Sequence, residues 1–170
     1  MAADRTGELR ERVAAIDGTR DEWFRGGWVR FGSIGRRVCR FRAVRWFIAG
    51  PLSALVSWVM VRYGLFGVEA GREPDALDIA TNWLRMPTLM HMHYRIIFAD
   101  ESRVVTEWDT CPIGYENPDC LETCETVMNI DRAIIGRLGG RLEVAENLLE
   151  GAPACRLIIT ADTCSGRTSS

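Results

Sequence analysis

Hydrophobic and polar positions along this chain change period several times. Residues 5–17 mix charged and apolar positions at helical spacing. Residues 46–61, WFIAGPLSALVSWVMV, carry no charge, with Arg45 before them and Arg62 after. A spanning helix needs roughly 20 apolar residues. This run is shorter and has Gly50-Pro51 inside it. The pattern therefore predicts a buried core helix from Pro51 to about Tyr63. Pro51 suits the first turn, where the N–H it lacks would have no partner anyway. Gly64 and Gly67 end that helix. A second helix is predicted over 74–86, with Pro74 near its start and Pro87 closing it. Its apolar stripe is Ala76, Leu77, Ile79, Ala80, Trp83 and Leu84.

From residue 91 the pattern becomes that of strands. Residues 91–98 and 103–110 flank Ala-Asp-Glu-Ser and predict a hairpin. Cys111 ends the second strand, and Pro112, Gly114 and Pro118 break the chain. Asp119 is the expected N-cap of the next helix, with Glu122 as its capping-box partner. That helix is predicted to reach about Leu138, where Gly139-Gly140 stops it. Residues 141–149 and 155–161 predict a second hairpin around 150–153. The expected fold is α+β over one domain, 1–170, with residues 1–20 and 162–170 loose. A helical N-terminal half packs on a small, mostly antiparallel four-stranded sheet with a helical crossover.

Composition narrows the function. Apolar residues make up 47% of the chain, enough for a core. The net charge of -2 argues against a nucleic-acid partner. All 21 basic residues are Arg, which excludes Schiff-base chemistry on lysine. The Arg- and aromatic-rich stretch 25–45 is read as a solvated lead-in rather than a nucleic-acid platform. With seven arginines there, contact between 46–61 and an anionic lipid surface is the alternative to a core helix. The polar N-terminus lacks the apolar stretch of a secretory signal, so a reducing, cytoplasmic setting is expected. Six cysteines in that setting favour thiols, metal ligands or redox chemistry over disulfides.

Three of those cysteines fall in CPIGYENPDCLETC. Cys120 and Cys124 are four apart on a predicted helix and share a face. If that helix runs the length of the sheet, the 150–153 turn returns beside Cys111 and brings Cys155 with it. If it doubles back near Asn129, Cys155 lies at the opposite end. Convergence would give a four-thiolate shell of Cys111, Cys120, Cys124 and Cys155, suited to zinc or an iron–sulfur cluster. A redox or nucleophilic pair, or plain packing, are the other readings. His91 and His93, two apart on a predicted strand, face one side as ligands, acid–base groups or half-buried, hydrogen-bonded neighbours. Tyr115 is close to Cys111 in sequence and joins them as a catalytic candidate. Asp109, Glu116, Asp119 and Glu122 read as solvation and capping. Trp46, Phe47, Trp58, Trp83 and Tyr94 read as core filling, with lining of a pocket as the alternative.

The hairpin ending in Cys111-Pro112, the Cys120-x3-Cys124 pair and the terminal Gly151-to-Cys155 hairpin with its RLIIT strand resemble a known family. It is the L-2-amino-thiazoline-4-carboxylic acid hydrolase family and, more distantly, the vinyl-4-reductase-like small-molecule-binding domains. The likeness covers roughly residues 90–160. It implies a bacterial enzyme that opens a small heterocyclic or amino-acid-derived molecule by hydrolysis. On that reading a cysteine-bound centre acts as Lewis acid while His91 or His93 moves protons. A non-enzymatic metal or redox sensor and a membrane-peripheral subunit are the competing readings.

Overall fold

The computed structural model describes residues 3–16, 30, 32–62 and 74–162. The helices are α1 (Thr6–Ala14), α2 (32–38), α3 (Arg42–Phe47), α4 (Ser53–Arg62), α5 (Ala76–Leu89) and α6 (Leu121–Arg137). The strands are β1 (Arg95–Ala99), β2 (Arg103–Trp108), β3 (Gly140–Glu146) and β4 (Cys155–Ala161). All neighbouring strands pair antiparallel, in the order β1-β2-β4-β3. The fold is α+β. After β2 the chain crosses on α6 to the sheet edge, makes β3, and returns as β4 between β3 and β2.

Alternation along the strands separates two faces. Val104, Trp108, Leu157 and Ile159 are buried and join residues of α1, α5 and α6 in the main core, with Thr106 buried on the same face. The other face carries a row of charge across all four strands. Arg95 meets Glu107 at 2.5 Å, Glu107 meets Arg156 at 3.0 Å, and Arg156 meets Glu146 at 2.5 Å. Each pair is in cross-strand register. Opposite charges at such positions favour this register over a slip.

Several boundaries differ from the sequence pattern, each for a local reason. The N-terminal helix is docked rather than loose. Leu9 is fully buried, Arg12 pairs with Asp78 at 2.8 Å, and the Arg5 N–H donates to the Ala99 carbonyl at 2.7 Å. Helix α5 begins as expected, with Asp75 and Asp78 forming a capping box. Pro87 lies inside α5, which continues to Leu89. Before α6, Asn117 rather than Asp119 provides the cap. Its side chain accepts from the Asp119 N–H at 3.0 Å and starts a 3-10 turn, Pro118–Cys120. Helix α6 is unbroken at Asn129 and ends at Gly139, whose φ is 89°. The expected loose tail from 162 lies almost wholly outside the described residues, as do Gly64 and Gly67.

The largest correction concerns 46–61, which is not a buried core helix. Residues 42–62 form one continuous helix in which Pro51 sits mid-way, inside a π turn (Ile48–Leu52). A proline there lacks an N–H and crowds the preceding turn, so the chain takes one extra residue. The Ser53 N–H and hydroxyl both donate to the Ile48 carbonyl, the hydroxyl at 2.5 Å. Ser53 and Ser57 are buried, and Arg137 of α6 donates to the Ser57 hydroxyl at 2.8 Å. The aromatic side chains point the other way: Trp46 is 71% exposed, Phe47 50% and Trp58 48%. Ser53 and Ser57 turn inward beside Ile48, Val56 and Met60 while the aromatics turn outward, so the helix is packed on one side only.

Candidate functional site

The register of β2 with β4 sets the site. Trp108 pairs with Cys155, so Cys155 starts β4 at the end of the sheet where β2 runs out toward Cys111. Unbroken α6 starts at this same end and carries Cys124 in its first turn. Between α4, α5, α6 and the sheet lies a cavity of about 360 Å³. Its helical walls include Val56 and Met60 of α4, Trp83 and Met86 of α5, and Met128 and Ile134 of α6. Trp108, Val144 and Leu157 close the sheet side. All five methionines other than Met1 line it: Met60, Met86, Met90, Met92 and Met128. Such side chains are flexible and polarizable and adapt to irregular occupants.

Cys111, Cys124 and Cys155 line one end of this cavity, with Asn147 among them. The Cys155 sulfur accepts from the Leu148 N–H at 3.3 Å. Asn147 caps the 3-10 turn Leu148–Glu150 through the Leu149 N–H at 3.0 Å. Burial pushes the Cys124 thiol up to about 12, and the neighbouring Cys111 and Cys155 add to the rise. Burial, then Cys111, also raises Cys155, against the Leu148 hydrogen bond. Both are neutral thiols at physiological pH and poor nucleophiles.

Cys120 is 3% exposed and turns into a second, smaller core with Ile113, Tyr115, Val127 and Leu149. Tyr115 belongs to this core too. Its hydroxyl donates to the Gly32 carbonyl at 3.1 Å, tying α2 to the loop after β2. Burial raises its pKa. Of the four cysteines predicted to meet, Cys111, Cys124 and Cys155 line the cavity; Cys120 does not line it, but shares the second core with Cys124, and Cys111 packs against that core. Among the described residues, no group of three or more His, Cys, Asp or Glu side chains is arranged to hold a metal ion.

His91 and His93 precede β1 rather than forming part of it, and both are exposed. His91 has φ 51° and ends α5. Its N–H donates to the Thr88 carbonyl, while the Met92 N–H donates to the Pro87 carbonyl, each at 3.0 Å. This is a Schellman stop with histidine where glycine is usual. The flanking Met90 and Met92 reach the cavity and the two histidines do not.

One carboxyl was not foreseen. Asp131 of α6 lines the cavity and accepts the Trp83 indole N–H at 2.9 Å. Burial pushes its pKa up to about 6, against the Trp83 hydrogen bond and the charge of Arg132. The signal was available: Cys124, Val127, Met128, Asp131, Ile134 and Ile135 follow helical spacing, so an acid stands in an apolar stripe.

The chain matches no protein-family model, and no curated protein is significantly similar to it.

Proposed function

We propose that this protein binds a small, largely apolar molecule in the cavity between α4, α5, α6 and the sheet. The observation carrying this reading is the lining itself: a space of about 360 Å³ walled by methionine, tryptophan and aliphatic side chains, with one carboxyl in it. Ligand sites are typically apolar cavities of roughly 300–1,000 Å³ with few polar groups that orient the occupant. Asp131 and Asn147 are those groups here. Asp131, already oriented by Trp83, would accept a hydrogen bond from an N–H or O–H on an otherwise apolar ring or chain.

The hydrolase family resembled by the cysteine pattern acts on a small heterocycle, and the cavity volume is compatible with such a ring. Hydrolysis finds less support. The cavity-lining Cys124 and Cys155 thiols are neutral, and the two histidines lie outside the cavity. A second reading rests on Cys111, Cys124 and Cys155 sharing one cavity end. It makes them ligands of zinc or an iron–sulfur cluster. These thiols do not form a metal-binding set as they stand, so no reaction step is assigned to such a centre. Anaerobic purification with metal and sulfide analysis tests it.

The binding reading is tested with N-phenyl-1-naphthylamine, a neutral fluorescent probe. It should brighten and saturate on the wild-type protein. Met128→Trp, which fills the cavity, should weaken it at least tenfold while thermal unfolding stays cooperative. Equal binding by a folded Met128→Trp protein would remove the cavity from the account.

A further inference from the structure

The outward face of the Arg42–Arg62 helix is the largest feature that the cavity does not explain. Trp46, Phe47, Leu55 and Trp58 are all about half exposed or more, with Leu55 at 57%. Phe41 at its N-terminal end is exposed as well, with the Arg40 guanidinium 5.1 Å from its ring centroid. Water is a poor solvent for such a face. The charge carried by this helix and the segments flanking it is of one sign, with Arg45 paired to Glu122 of α6 at 2.6 Å. Between residues 23 and 68 the chain has eight arginines and no Asp or Glu, although the whole chain carries a net charge of -2. Arg36, Arg37, Arg40 and Arg42 are exposed at the N-terminal end of the helix.

From this combination we infer that the outer face of the Arg42–Arg62 helix docks on an anionic lipid bilayer. The helix lies in the plane of the headgroups. Trp46, Phe47, Leu55 and Trp58 enter the acyl boundary while the arginines meet lipid phosphates and carboxylates. Tryptophan is suited to that depth because one edge of its ring is polar. The helix has the length and apolar character of a span, but its inner side argues against crossing. Ser53 and Ser57 are packed inward, and Arg137 of α6 bonds to the Ser57 hydroxyl and the Ala54 carbonyl. Crossing would strip away α6 or carry its arginine into hydrocarbon. A second copy would cover the apolar residues but would leave the exposed arginines at the N-terminal end without the anionic groups that a charged bilayer supplies. Docking stands independently of the cavity reading. The two share an element, since Leu52, Val56 and Met60 on the same helix line the cavity.

The test is co-sedimentation of the full chain with vesicles of phosphatidylcholine alone or with 30% phosphatidylglycerol, at low and high salt. Binding to the anionic vesicles is expected to be at least tenfold tighter and to fall with salt. It should be lost in Trp46→Ser/Trp58→Ser and weakened at least tenfold in Arg36→Gln/Arg37→Gln/Arg40→Gln. Brominated lipids should quench wild-type tryptophan fluorescence, and Trp46→Phe/Trp58→Phe should remove that quenching even if the serine variant fails to fold. Equal affinity for neutral vesicles, or no sedimentation with either, overturns the proposal. So does a solution dimer that the Trp46/Trp58 substitutions convert to monomer. Probe binding measured without vesicles reports on the cavity alone, so the two readings fail separately.

Discussion

Trp83 on α5 holds the Asp131 carboxylate on α6 through one indole N–H, across 2.9 Å. This bond compensates only part of the cost of enclosing a carboxylate among apolar side chains, because its pKa still rises to about 6 from an ordinary 3.8. A group raised in the folded state adds stability that is complete below its unfolded pKa. That stability is lost as pH climbs through the folded value. Ionised Asp131 is therefore a burden on folding above about pH 6.

Asp131→Asn should match the wild type in urea unfolding near pH 3.8 and exceed it at pH 7.5, by about 1–3 kcal/mol. Asparagine keeps an oxygen for the Trp83 N–H. A difference between the proteins that does not change with pH would mean the carboxyl is well solvated.

The cavity thiols should react in a set order. At fixed pH, a thiol at about 12 instead of the usual 9.0 has roughly a thousandfold less thiolate. Cys124 should therefore be the slowest of the cavity cysteines toward iodoacetamide at pH 7.5, and half-buried Cys111 should be labelled before it. Peptide mapping over time reads the order. Early labelling of Cys124 in folded protein would contradict the burial described here.

His91→Gly tests the role of that histidine as a helix stop. A non-glycine residue at φ 51° is strained. The change should stabilise the protein by about 0.5–1 kcal/mol after allowing for glycine's unfolded-state entropy. Probe binding should be unchanged. A loss of binding or of any measured turnover would restore His91 to the functional site.

Gly32 is needed for a close approach. A Cβ there would lie 2.2 Å from Ile113 Cγ2 and 2.7 Å from the Ile113 carbonyl. Gly32→Ala should cost about 1–3 kcal/mol, or more if the backbone cannot give. Tyr115→Phe removes only the hydrogen bond to Gly32 and should cost about 1 kcal/mol. Thermal unfolding of both variants checks the ranking.

Strands and helices were legible where period and punctuation agreed. Asp75 with Asp78, the turn after Ala99, and Gly139 all stand where the pattern put an element end. The meeting of Cys111 with Cys155 required knowing that α6 does not break at Asn129, which is a matter of packing. Cys120 and Cys124 share a helix face in principle. They do pack in one core cluster, but Cys120 belongs to the 3-10 turn, where the repeat is tighter, and of the two only Cys124 lines the cavity. The helix over 46–61 was misread because hydrophobicity was equated with burial. Its inner face mixes Ser53 and Ser57 with Ile48, Val56 and Met60, and no count of apolar residues tells which of them face the core and which face outward. Asp131 was legible as a lone acid in an apolar stripe, but its partner, the Trp83 indole, lies 48 residues away on another helix, and only packing brings the two together.

The π turn at Pro51 has an angular consequence. Successive residues on an α-helix advance by about 100°, and one inserted residue sets the phase back by the same amount. In an uninterrupted helix Trp46, Phe47, Leu55 and Trp58 would spread over about half the circumference. With the insertion they gather within about 100°, while Ile48, Ser53 and Ser57 fall on the opposite side. Deleting one residue from 48–52 would leave composition almost untouched and twist one half of the outer face out of line with the other.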